Sequence, residues 1–165
     1  MASATLSETK HIVKNNHRDL VIHYTATSTG GGNDEQVTTV LDFDDASGYS
    51  KDGVALASDG FNSPSGKAIT GLTIKRLYWS SGIQASGTES WAGRLEWNAT
   101  ANIIIVGVGT TYDGGNTAMF DYTSMGGGFP NPNTSGSNGD IVFRNSNMTP
   151  AGMSLELYIE FLKVY

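Results

Sequence analysis

The sequence predicts an all-β protein built as an antiparallel β-sandwich, and three observations carry that reading. Several segments alternate apolar and polar residues with a period of two, which places one face of a strand in a core. The composition favours turns over helices: 21 of 165 residues are glycine and only 16% are charged, against roughly 25% in an ordinary globular chain. No segment keeps an apolar stripe at helical spacing over three turns. Without a strand–helix rhythm, eight or nine short strands joined by uneven loops point to a jelly roll. An immunoglobulin-like sandwich is the alternative, but it is usually shorter and more evenly spaced.

The elements follow in order. Residues 1–18 show no period and read as an extended N-terminal arm, leaving 19–165 as one sandwich domain. In "DLVIHYTATST", Leu20, Ile22, Tyr24 and Ala26 share one face, and Val21, His23 and Thr25 share the other. "QVTTVLDF" is a second strand, with Val37, Thr39, Leu41 and Phe43 aligned. Residues 44–66 are polar and turn-rich, with Asp-Gly pairs at 52–53 and 59–60 around a short edge strand in "GVALAS". "KAITGLTIKRLYWSS" reads as a strand with a bulge at Gly71.

Two more strands occupy 91–98 and 102–108. Leu95 and Trp97 are expected to point into the core, and "IIIVGV" to be covered on both faces, by the core and by an arm or neighbouring subunit. After a turn at Asp113-Gly114 come "TAMFDYTSM", a long loop with two prolines, and "DIVFRN". The last strand, "MSLELYIEFLKVY", alternates most clearly: Met153, Leu155, Leu157, Ile159 and Phe161 against Ser154, Glu156, Tyr158 and Glu160.

Charge narrows the function classes. The net charge of −6 repels phosphate, so no nucleic-acid partner is expected. The arm runs against this trend, with Lys10, Lys14 and Arg18 opposed by Glu8 alone. These three cations are the candidate contacts to an acidic partner. There is no cysteine, which removes disulfides, thiolate zinc sites and thiol nucleophiles. No run approaches the ~18 apolar residues of a membrane span, and the first ten residues lack the apolar stretch of a leader.

No motif carries chemistry, so no catalytic residue, metal or cofactor is expected. The three histidines lie at 11, 17 and 23; His17 and His23 flank "RDLVI" without a local carboxylate pair. "GFNSPSGKA" departs from a phosphate loop in its glycine spacing and in Ala68, which stands where a hydroxyl would hold magnesium. "DFDDASG" gathers three carboxylates without the spacing of a calcium loop. Glu89 and Glu96 flank Trp91, but their odd separation sends them to opposite faces of one strand. The rival with more substance is sugar binding, in which Trp79, Trp91, Tyr78 and Tyr112 stack on rings.

The order of "RDLVIHYT", "LTIKRLYWS", "RLEWNATANIIIVGVG", "FDYTSMGGGFPNPNTSGSNGDIVF" and the closing "MSLELYIEFLKVY" resembles small structural proteins of tailed bacteriophages, of the marine and cyanophage type. The resemblance covers residues 18–165 and includes no catalytic signature. It implies a capsid decoration or cement protein on the outer face of the major capsid protein shell, without enzymatic activity or cofactor. It supplies no functional residues. The longer "YSKDGVALASDGFNSPSG" segment departs from the pattern and leaves a host-facing role for that loop open. A neck, tail or fibre-attachment component is the alternative within the virion, and a carbohydrate-binding module the alternative outside it. Self-association as a dimer or trimer is expected, to cover edge strands and exposed aromatics.

Overall fold

The structure, a computed structural model, describes residues 6–30, 36–82, 91–110, 115–131, 139–146, 148 and 151–165. Among these residues the chain forms twelve strands: β1 (Leu6–Asn15), β2 (Asp19–Ser28), β3 (Gln36–Leu41), β4 (Ser50–Lys51), β5 (Val54–Ala55), β6 (Gly71–Gly82), β7 (Ala92–Trp97), β8 (Ile103–Gly109), β9 (Thr117–Asp121), β10 (Phe129–Pro130), β11 (Ile141–Ser146) and β12 (Ser154–Val164). The only helical pieces among them are two 3-10 turns, Ala46–Gly48 and Tyr122–Met125.

The strands make two sheets. The larger runs β10-β6-β12-β2-β1-β4-β5, with β9 also paired to β6, and the smaller runs β3-β11-β7-β8. Their inner faces share one hydrophobic core, so the predicted antiparallel β-sandwich is what forms. The alternation read from the sequence explains which side chains meet. Leu20, Ile22, Tyr24 and Ala26 of β2 lie beside Leu155, Leu157, Ile159 and Phe161 of β12, all buried. Leu95 and Trp97 of β7 and Ile141 and Phe143 of β11 come from the other sheet. Burial of each such side chain contributes about 1.5–3 kcal/mol.

The long strands pair in a nested way. β2 pairs with β12, β3 with β11, β6 with β9 and β7 with β8, each antiparallel. The first half of the chain is thus matched against the second half in reverse, and the pairs alternate between the sheets.

Four expectations need correction. Residues 6–15 are not a free arm: they form β1, which is antiparallel to β2 over nine register pairs from Leu6–Ser28 to Asn15–Leu20. The period is hard to read because a bulge between Ile12 and Lys14 shifts the phase; Ile12 is the one buried residue of the strand, and Leu6 packs against the core half-buried. Residues 1–5 lie outside the described residues. The irregularity of β6 is not at Gly71, which begins the strand, but opposite the Glu160–Phe161 step, where Lys75 is passed over in the register. This bulge switches the inward set from Leu72 and Ile74 to Leu77 and Trp79.

In β3, Val37 is exposed and Val40 joins Leu41 in the core, because the register slips against β11 between Ile141 and Val142. Finally, no described part of the chain covers the outer face of β8. A bulge opposite Leu95–Glu96 turns Ile104 outward, 57% exposed, while Ile105, Val106 and Val108 are buried. The expected short strand at 53–58 is β5, joined to β4 by a hairpin turn at Asp52 (φ 52°) and Gly53 (φ 79°). Positive φ at both positions is what an Asp-Gly pair supplies there.

Candidate functional site

The outward residues of the large sheet line up across strands. His11 of β1 is the register partner of His23 on β2, His23 of Tyr158 on β12, Tyr158 of Tyr78 on β6, and Tyr78 of Met119 on β9. Ser50 of β4 continues the row beyond His11. Six strands at the usual spacing make this row roughly 24 Å long.

The rings touch along the row. His23 stacks on Tyr158 with centroids 4.2 Å apart and planes 6° from parallel. His11 lies 6.2 Å from His23, and Tyr78 lies 6.1 Å from Tyr158. Side-chain hydrogen bonds hold both imidazoles: His11 Nδ1 with Ser50 Oγ at 2.6 Å, and His23 Nε2 with Glu156 Oε1 at 2.9 Å. Burial and the neighbouring Glu156 push the Tyr158 phenol above its ordinary pKa, so it stays a neutral donor. The row still faces outward: Tyr78 and Tyr158 are each 36% exposed, and Met119 is 72% exposed.

Rows that are polar apart from Val21 flank this stripe. On one side run Thr9, Thr25, Glu156, Ser80 and Thr117. On the other run Lys14, Val21, Glu160, Arg76 and Asp121. The charges there are internally paired: Lys75 bridges Asp19 and Glu160, Arg76 bridges Glu160 and Asp121, and Lys14 meets Asp19. An aromatic centre with a polar rim is the anatomy of a protein interface.

The candidates read from the sequence are placed as follows. Lys10 and Lys14 are not free on an arm. The Lys10 ammonium donates to the Thr39 carbonyl at 2.6 Å and sits over the Tyr49 ring, and Lys14 bridges Asp19 at 2.9 Å. Arg18 is exposed in the β1–β2 turn, with its carbonyl bonded to the Lys163 amide. Trp79 and Trp91 are buried, at 7% and 2% exposure, and point into the sandwich with Trp97. They are not ligand platforms. Tyr78 alone of the four aromatic candidates is shown at the surface, and Tyr112 lies outside the described residues.

The weaker chemical readings resolve into structure. His17 does not approach His23; His11 does. Asp45 caps the 3-10 turn by accepting from Ser47, and Asp42 accepts from the Asp45 amide. Among the described residues, no three histidines or carboxylates converge where a metal would sit. Glu89 lies outside the described residues. Glu96 is 2% exposed on the outer side of the small sheet. Burial alone would raise its pKa, but hydrogen bonds from Arg94, Asn102 and Arg144 outweigh it and hold the carboxyl below its usual range. A carboxylate kept charged in this way is suited to tying strands together and ill suited to donating a proton.

The signals for the missed residues were partly visible. Alternation places His23 and Tyr158 on outward faces, but nothing local says that β2, β12 and β6 are neighbours in the register that makes one row. Comparison with protein-family models, with curated proteins and with solved structures returned no match.

Proposed function

We propose that this chain is a non-enzymatic structural protein of a tailed-phage virion, a decoration protein that binds the outer face of the major capsid protein shell. Its contact surface is the outer face of the large sheet, centred on His11, His23, Tyr158, Tyr78 and Met119. The observation that carries the reading is the row itself: rings in contact on a sheet face, partly exposed, with polar residues on both sides. Aromatic residues that are rigid before binding lose little entropy on docking and rank among the usual interface anchors.

The nested strand pairing supports the finer topological reading of a jelly roll, an architecture common among capsid domains. The segment order that resembles phage structural proteins supports the virion assignment. With β1 inside the sheet, docking through a flexible basic arm gives way to docking through a rigid face. Self-association as a dimer or trimer remains part of the proposal, through a surface other than the ring row and not through open edges. Both edges of the small sheet carry a side chain from elsewhere: Lys10 on the Thr39 carbonyl, and Tyr122 on the Ile105 carbonyl at 3.2 Å.

Quantitative mass spectrometry of the intact particle tests the proposal. Decoration predicts an integer ratio to the shell protein, whereas a few copies per particle would place the chain in the neck or tail. Absence from the particle would remove the structural reading. The second reading, carbohydrate binding, rests on the exposed Tyr78 and Tyr158 rings rather than on the tryptophans. A glycan array that gives specific binding, lost in Tyr158→Ala, would favour it.

A further inference from the structure

We infer that Lys163 and Asn15 react to form an intramolecular isopeptide bond, tying the last strand of the large sheet to the first across β2. Both side chains point inward at the same end of the sandwich. Asn15 is the register partner of Leu20 on β2, and Leu20 is the partner of Phe161 on β12, two residues before Lys163. Lys163 is only 5% exposed. Its Nζ donates to Asn15 Oδ1 and, at 3.2 Å, to the Asn62 carbonyl. The other end of the Asn15 carboxamide is held as well, with Nδ2 donating to the Gly60 carbonyl at 2.8 Å.

A buried lysine normally meets a carboxylate. Among the described residues, Lys163 meets amide oxygens instead. Burial with no counter-ion favours the neutral amine and lowers its pKa. The neutral amine is the nucleophilic form, and it is fixed against a carboxamide whose movement is restricted. Holding two reactants in contact replaces a bimolecular encounter and supplies a large effective concentration.

The step balances without any co-reactant. The Nζ lone pair attacks Cγ of Asn15, and the Nζ–Cγ bond forms. The Cγ–Nδ2 bond breaks, one proton passes from Nζ to Nδ2, and ammonia leaves. The Gly60 carbonyl steadies the departing nitrogen, and the Asn62 carbonyl keeps the amine in place. The product is a secondary amide joining β1 to β12. These strands are not neighbours in the sheet, so the bond fastens an outer strand to a central one.

Intact-mass spectrometry of the folded protein, followed by a proteolytic map, tests this directly. The expected mass, after allowing for the initiator methionine, is below that of the sequence by one ammonia. The map should contain one branched peptide that joins Asn15 to Lys163, and Lys163→Arg should lose both signals. An unmodified mass in the folded wild-type protein overturns the inference. So does an ammonia loss without the branched peptide, since a succinimide at Asn138-Gly139 would give that result. The decisive map uses the wild-type chain, so the answer does not depend on a variant folding.

Discussion

The His23 imidazole lies flat on the Tyr158 ring, 4.2 Å between centroids and 6° from parallel, as the outward register pair of β2 and β12. The same two strands meet on the inner face through Ile22 and Ile159, both fully buried. One strand pair thus carries a core contact on one side and a surface contact on the other. This division of labour separates the consequences of mutation on the two faces.

On the outer face, Tyr158→Ala should weaken attachment to capsid shells by about tenfold or more, the loss typical of an aromatic anchor worth at least ~1.4 kcal/mol. Thermal stability should change little, because the ring is partly exposed. A co-sedimentation assay with undecorated shells, run beside a melting curve, checks both halves. Unchanged binding with a normal melt would remove Tyr158 from the contact.

On the inner face, Trp91→Ala should destabilise the fold by about 3–5 kcal/mol, as expected for a large buried ring whose cavity does not refill. Trp91 packs edge-on against Phe143, with centroids 5.9 Å apart. Denaturant unfolding measures the loss. A variant of wild-type stability that fails to bind a glycan would reverse the assignment and return Trp91 to the surface.

Removing residues 1–15 should damage the fold rather than merely release an arm. It takes away the β1–β2 ladder, the Tyr24 hydroxyl's bond to Glu8 and the Lys10 contact to the Thr39 carbonyl. The backbone edge of β2 would then be open to association with other chains. Size-exclusion chromatography and a melting curve should show aggregation or a much lower midpoint. A monomeric truncation with an unchanged midpoint would contradict the placement of β1.

Acid should weaken the fold through Asp19, Glu96 and Glu160, whose folded pKa values are held low. Lys14 and Lys75 do this for Asp19, Lys75 for Glu160, and Arg94, Asn102 and Arg144 for Glu96 against its burial. A depressed folded pKa contributes stability that is present above the unfolded value, about pH 4. That stability is lost as pH falls through the lower folded value. Glu96→Gln should cost about 2 kcal/mol near neutral pH, because two arginines lose their shared carboxylate. It should also flatten the acid loss. Denaturant curves at neutral pH and at about pH 3 check the slope, and an identical acid loss in the variant would remove Glu96 as a contributor.

The faces of the long regular strands were legible in the sequence, and the places where strands slip were not. "DLVIHYTATS" and "SLELYIEFLKV" alternate without interruption, and their buried sets match the alternation. β1, β3, β6 and β8 each carry a register shift. A shift of one residue moves the following side chains to the other face, so an unbroken alternation misplaces residues 6–15, Val40 and Ile104. Trp79 and Tyr78 are consecutive in one strand, so they cannot share a sugar-stacking face. Tyr78 points out, and Trp79 points in. The ring row depends on contacts between residues far apart in the chain, His23 and Tyr158 above all, and no local pattern reports such a pairing.

Cryo-electron microscopy of the intact particle shows whether the ring row meets the shell. The expected density is this sandwich on the outside of the shell at an integer ratio to the capsid protein, with Tyr78 and Tyr158 in the contact and the small sheet turned away. Particles that lack the chain, or that carry it with the His23–Tyr158 face open to solvent and unoccupied, would contradict it.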